Sequence, residues 1–319
     1  VIVINVADPK AALVNSLEYG GASAKALEPL LRISSVLSEA EMQAQVVPTV
    51  VKLFSNTDRS MRIPLLERLP ALMPHLTQRT VNDAIFQHIS LGFVDTSPVL
   101  RELTVKSMVH LAPKLYARTM AMVMRAFAKL QLDEEAAIRT NTTICMGKLA
   151  QHMEASERDR VLIPAFCRAL QDRFPPGRNA ALASLSATQQ FVRPADAATK
   201  VIPHVAPLML DPEKSVREAA LATLNVYIAK LQEASARMTA AAAGQTEGKP
   251  GGAGGPGSHQ AHAADTDHAL AAAAVEASAA VMKSMSWLSS TVKSAVAEKG
   301  APSVGPGDGY GAGGGPALM

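Results

Sequence analysis

The stretch DPEKSVREAALATL, residues 211–224, decides the fold, because its Asp211 and Arg217 stand six residues apart and the same pair recurs on a fixed period. DTSPVLRELTVKSM at 95–108 holds Asp95 and Arg101, DEEAAIR holds Asp133 and Arg139, and DRFPPGR holds Asp172 and Arg178. NTDRSMR places Asn56 six residues before Arg62. The five arginines lie 39, 38, 39 and 39 residues apart. Seven residues after each come Leu69, Met108, Met146, Leu185 and Leu224, all long and apolar. Fifteen residues before each come Val47, Phe86, Met124, Ile163 and Ile202, three of them followed by Pro48, Pro164 and Pro203. A period of this length predicts two-helix repeats stacked into a solenoid.

Each unit reads as a helix, a short turn and a second helix. In VIPHVAPLML, Val201, Ile202, Val205, Leu208 and Met209 recur at helical steps and mark one face. Asp211 and Pro212 then break the pattern and predict a helix start, with the carboxylate capping free amides and proline in the first turn. The helix that follows is expected to carry Val216, Ala220, Leu221, Leu224 and Ile228 on its apolar side. Small residues such as Ala219 and Ala220 allow close approach of neighbouring helices. In a stacked array each arginine can bond the aspartate near an adjacent turn, so the pairs form a ladder that sets register between units. An acid–base or phosphate-binding pair would not need five copies, so the ladder is read as structural.

Composition fits this reading: of 319 residues 48% are hydrophobic but only 4% aromatic, as closely packed helices require. Residues 1–233 would hold five clear units and a degenerate one near 13–37. The opening VIVINVADPK, without an initiating Met, reads as the end of an upstream segment. Cys145 and Cys167 fall in apolar helical stretches and are expected to be buried free thiols of a reducing compartment. No secretory signal pattern occurs, and no apolar run approaches the length that spans a bilayer. NTT at Asn141 matches a glycosylation acceptor but lies inside a predicted helix, and is discounted. The formal net charge of +3 is too weak to point to nucleic acid by itself, although arginines along the repeats could line one surface.

From about residue 234 the composition changes. Residues 234–265 are Gly-, Ala- and Pro-rich and are expected to form a flexible linker, and 300–319 a disordered tail. His259, His262 and His268 lack cysteine or carboxylate partners at useful spacing, so no metal is assigned. Between them, 266–299 reads as an Ala-rich amphipathic helix, with Val281, Met285, Leu288, Val292 and Val296 at steps of four, three, four and four. Trp287 stands beside this stripe. The helix either docks on its own solenoid or binds a partner or membrane surface, and the second is preferred.

No catalytic pattern emerges: no HExxH, no paired CxxC, no GxSxG, no phosphate loop, and none of the marks of a protein kinase. Catalytic, cofactor-binding and metal sites are therefore all assigned as none.

FSNTDRSMRIPLLERL (54–69), GFVDTSPVLRELTVKSMVHLAPKL (92–115), IRTNTTICMGKLA (138–150) and DPEKSVREAAL (211–221) resemble the HEAT-repeat region of the Scy-like pseudokinases, the N-terminal kinase-like protein family. The resemblance covers roughly residues 11–233 in order. It implies an all-α, HEAT/armadillo-type α-solenoid of about five to six two-helix repeats, with a tail containing one helix. It also implies a parent protein with an upstream kinase-like, ATP-binding domain, and this sequence lacks that domain, so nothing about ATP transfers to any residue. Family members act as scaffolds in membrane traffic, associating with coatomer on Golgi-to-ER carriers, and some are tied to transfer RNA export. The expected partners are thus coat or traffic proteins, with tRNA and peripheral membrane contact as further possibilities. The expected location is cytoplasmic and peripheral at Golgi or ER–Golgi membranes. The ending GGGPALM lacks the dibasic signal of coat-binding members, which argues against direct coat binding by the tail.

Overall fold

Apolar residues spaced three and four apart must be covered along one side, and here successive helix pairs cover each other. A computed structural model describes residues 38–246. The helical segments fall into five pairs among the described residues. In the first, α1 joins the π-turn Met42–Val46 to the α-helix Val47–Phe54, and α2 is Arg59–Leu72. In the second, α3 runs from the π-turn Thr80–Ile85 through Phe86–Ser90 to the 3-10 turn Leu91–Val94, and α4 is Pro98–Leu111. The third pair is α5 (Ala117–Leu130) and α6 (Ala136–Leu149), and the fourth is α7 (Ala155–Ala169) and α8 (Pro175–Ala187). The fifth has a segmented α9, made of Pro194–Asp196, Ala197–Val201, Ile202–Val205 and Ala206–Leu210, and a long α10, Lys214–Thr246.

Each even-numbered helix packs chiefly on the even-numbered helix of the next unit. The periodic apolar positions supply the core. Leu69, Met108, Met146 and Leu185 are fully buried, and Val47, Phe86, Met124 and Ile163 are buried with them. Covering a side chain of this size stabilises by about 1.5–3 kcal/mol. Phe93 and Phe127 meet edge to face, with centroids 5.9 Å apart, and join the second unit to the third. The Tyr227 hydroxyl donates to the Leu185 carbonyl at 2.8 Å and ties α10 to α8 inside the core.

Small residues set how closely the units approach. A Cβ on Gly147 of α6 would lie 2.9 Å from the Ser184 Oγ of α8. α8 itself buries Ala180, Ala181, Ala183, Ser184 and Ser186 between its neighbours. In α3, a Cβ on Gly92 would fall 2.1 Å from the Thr104 Oγ1 of α4. Cys145 and Cys167 are both buried and free, and burial pushes the Cys145 thiol up to about 12. Asn141 is buried inside α6, where its amide donates to the Glu102 carboxylate at 3.0 Å.

Several expectations need correction. The Asp211 carboxylate does accept a free amide, that of Glu213 at 2.9 Å, but α10 begins only at Lys214, so Pro212 lies outside its first turn. The stretch 201–210 is not one helix. Pro203 and Pro207 each remove an amide donor, and the backbone changes from π to α to 3-10 around them. The buried stripe of α10 is Val216, Ala220, Thr223 and Tyr227, whereas Leu221 and Ile228 are exposed. α10 also continues past the boundary drawn at 233, because residues 234–246 are rich in alanine, which prolongs an existing helix at little cost. The degenerate unit at 13–37, the remainder of the linker, the 266–299 helix with Val281, Met285, Trp287, Leu288 and Val292, and the 300–319 tail lie outside the described residues.

The Gly92 contact makes a direct prediction. Gly92→Ala drives a methyl into Thr104 and should lower the melting temperature, and adding Thr104→Ala should recover part of the loss in thermal melts followed by circular dichroism.

Candidate functional site

The turn between the two helices of each unit is built on one aspartate. In extended backbone its carboxylate turns back to accept the amide two residues on: Ser97 to Asp95 at 2.8 Å, Glu135 to Asp133 at 3.0 Å, Phe174 to Asp172 at 2.8 Å. Asn56 does the same for the Asp58 amide at 2.8 Å. The arginine six residues later does not pair with the carboxylate of its own unit. Its Nη1 donates to that unit's backbone carbonyl: Arg101 to Asp95 at 2.8 Å, Arg139 to Asp133 at 2.9 Å, Arg178 to Asp172 at 2.8 Å, Arg217 to Asp211 at 2.7 Å.

The carboxylate taken by Arg101, Arg139 and Arg178 belongs to the next unit. Arg101 Nε and Nη2 reach the two oxygens of Asp133 at 2.8 and 3.0 Å, and Arg139 meets Asp172 at the same two distances. Arg178 Nη2 donates to Asp211 at 2.7 Å, and its Nε is buried without an acceptor. At the first junction Arg62 stands 3.8 Å from Asp95, and the closer contact, 2.7 Å, comes from Arg59. No hydrogen bond or ion pair joins Asn56 to Arg62 among the described residues. The six-residue spacing therefore reflects a carbonyl contact within a unit, and the charge pairing runs diagonally between units.

Burial pushes the Asp172 carboxyl up, but the Arg139 guanidinium and the Phe174 amide together hold it below the usual carboxylate range. Asp95 and Asp211 are likewise held down against their burial, by Arg59 and the Ser97 amide in one case and by Arg178 and the Glu213 amide in the other.

The odd-numbered helices bear the accessible chemistry. Between α3 and α5 lies a cleft of about 540 Å³ with Phe86, Phe93, Val94 and Met122 in its wall and Arg125 and Lys129 on its rim. Val94 is 78% exposed and Met122 48%. Through Asp133 it adjoins a second depression that includes Leu132, Arg168 and Arg173, and through Arg168 a third that includes Pro164, Lys200 and His204. Together they form a groove across three unit junctions. Lys200 is paired with Asp196 at 2.6 Å, whereas Arg125, Lys129 and Arg173 have no ion pair among the described residues. Among those residues no group of three or more His, Cys, Asp or Glu could hold a metal, and no helix is long and apolar enough to cross a membrane.

Sequence reasoning missed several junction residues because the residue type at their positions changes from unit to unit. Asn82 donates to the Lys114 carbonyl at 2.8 Å and accepts the Tyr116 amide at 2.9 Å, bridging two units. Buried Gln131 donates to the Ala165 carbonyl at 3.1 Å and accepts from Arg168 at 3.1 Å. Gln131 stands once, whereas Gln43, one period before Asn82, makes the equivalent contact with the His75 carbonyl at 2.6 Å, so that position recurs under a different residue type.

Arg139→Ala leaves Asp172 buried without its cation and should cost about 3 kcal/mol in urea denaturation. Arg59→Ala removes a half-exposed partner and should cost less than about 1 kcal/mol. The depressed carboxyls set the acid limb. Their stabilisation is complete above the unfolded value near 3.9 and is lost as pH falls through their lower folded values. The melting temperature should therefore drop steeply below about pH 4, and Asp172→Asn should both lower it at neutral pH and flatten that acid decline.

No family model matches the chain. It is 42% identical over 221 residues to the probable inactive serine/threonine-protein kinase scy1 of Dictyostelium discoideum, covering 69% of this chain and 27% of that protein. It is 36% identical over 164 residues to the protein kinase domain-containing protein ppk3 of Schizosaccharomyces pombe, covering 51% of this chain and 25% of that one. The crystal structure of Cex1p superposes with a TM-score of 0.63 at 25% identity, covering 71% of this chain and 45% of that one. The chain spans about a quarter of the length of the curated relatives it matches. With a stack of helix pairs joined by the same diagonal rung, and with these relatives in sequence and structure, the chain belongs to the Scy-like pseudokinase family.

Proposed function

We propose that this chain is a non-catalytic scaffold of intracellular vesicle traffic, working between Golgi and ER and engaging coatomer or other traffic proteins at the membrane periphery. The observation that carries the reading is the groove across α3, α5, α7 and α9. Its walls expose Val94, Met122 and Leu132, and its position over three unit junctions suits a protein segment longer than one helix turn. A stack held by contacts between neighbours alone keeps such a surface extended and rigid. The kinship with a protein named a probable inactive kinase supports a binding role over a chemical one. In the longer parent the stack would work beside a kinase-like domain.

A second reading, an adaptor of the transfer-RNA-export kind, is favoured by one feature of the same groove. Arg125, Lys129, Arg168 and Arg173 line it, and none of them forms a salt bridge among the described residues. Affinity capture from cytosol, read by mass spectrometry and RNA sequencing, separates the two. On the scaffold reading, coat subunits are recovered, and Met122→Asp reduces their recovery about tenfold by placing a charge in the apolar wall. Recovery of transfer RNA without coat subunits would replace it with the second reading. That binding should fall steeply with salt and be abolished by Arg125→Glu with Lys129→Glu.

A further inference from the structure

Three junctions show what an even-numbered helix presents to the unit that follows it, and the far end of the stack presents the same features with nothing on them among the described residues. Leu182 of α8 is fully buried where α10 crosses it, while Leu221 of α10, one period on, is 49% exposed. Ile228 is 45% exposed on the same helix, and Leu224 is only partly covered although its four counterparts are fully buried. Arg217 is already held as the other ladder arginines are, donating to the Asp211 carbonyl at 2.7 Å and the Pro212 carbonyl at 3.0 Å. Its Nε and Nη2, the edge with which Arg101 and Arg139 grip the next aspartate, meet no acceptor among the described residues.

The piece this face lacks has a defined form: an aspartate in a turn, then a helix with an apolar stripe. ADTDHAL, residues 264–270, has it. Asp265, Thr266 and Asp267 match Asp95, Thr96 and Ser97, and Leu270 stands five residues after the aspartate as Leu100 and Val216 do. From Leu270 the stripe runs through Ala274, Ala277, Val281, Met285, Leu288 and Val292, at steps of four, three, four, four, three and four. In α10 the inward residues Val216, Ala220, Thr223, Tyr227 and Leu231 follow the same steps. The arginine position is Ala271, so this segment carries no guanidinium of its own to pass the ladder on.

The chain can make the connection. From Arg217 to Thr246 α10 rises about 44 Å, and residues 247–264 can extend about 60 Å, enough to return Asp265 to Arg217. A head-to-tail second copy fits less well, because the corresponding position in the first described unit is Asn56, which carries no charge to meet Arg217. We infer that residues 265–292 close the stack as a sixth even-type helix, with Asp265 on Arg217 and the Leu270–Val292 stripe over Leu221 and Ile228. The stripe then faces inward, and Trp287, beside it, is left to the outer surface.

The register can be tested in the full chain. Ser186 of α8 meets Thr223 of α10 with hydroxyls 3.0 Å apart. One period on, the corresponding pair is Asn225 and Ala277. Asn225→Cys with Ala277→Cys should form a disulfide within one chain on the order of tenfold faster than Asn225→Cys with Ala301→Cys, as peptide mapping by mass spectrometry would show. Arg217→Glu should slow the first pair to the control rate, and adding Asp265→Arg should restore it. Circular dichroism would verify that both variants keep the stack. Equal rates for the two cysteine pairs, or a disulfide found only between chains, would overturn the inference, the latter assigning the face to a second copy.

Discussion

A guanidinium carries five donors in one rigid plane, and at the junctions of this stack they are divided between two units. Nη1 closes the turn of the arginine's own unit by holding a backbone carbonyl. At Arg101 and Arg139, Nε and Nη2 grip the carboxylate of the next turn through two parallel bonds. Lysine offers no such fork and could not grip a carboxylate as Arg101 and Arg139 do. The aspartate is equally committed, since one oxygen also takes the amide two residues on. Displacing any partner would leave a largely buried charge exposed to loss of all these bonds, so the angle between units is fixed at the turn and the helices follow.

That constraint explains where the apolar core and the accessible surface lie. With the turns locked, the even-numbered helices stack at close range, and glycine, alanine and serine fill the contact between α6 and α8. The odd-numbered helices make fewer contacts with one another and vary more in backbone, with π-turns in α1, α3 and α9 and continuous helix in α5 and α7. Clefts remain between them, and the exposed apolar and cationic side chains gather there. Ladder and groove thus divide the unit between a conserved joint geometry and a variable surface.

Much of this was legible in the residues. The period of 38–39, the buried positions seven after and fifteen before four of the five arginines, and the pairing of helices all follow from residue type and spacing. The partner of each arginine did not, because Asp172 is as available to Arg178 on the page as to Arg139. Only the fold shows that the six-residue separation suits a carbonyl and the 33-residue separation suits the carboxylate. The groove was illegible for a different reason. Val94 stands in one unit, Met122 and Arg125 in the next and Arg173 in the one after, and no common spacing links the three.

The sequence by itself determined the repeat, its length, its apolar register and the family, since each is a property of residues compared along one chain. Tertiary structure alone decided which charge meets which, that Leu221 and Ile228 face outward while Tyr227 faces in, and which side chains from different units share one surface. Those are questions of distance between units, and a period records that two residues occupy equivalent places without saying how their units are turned against each other.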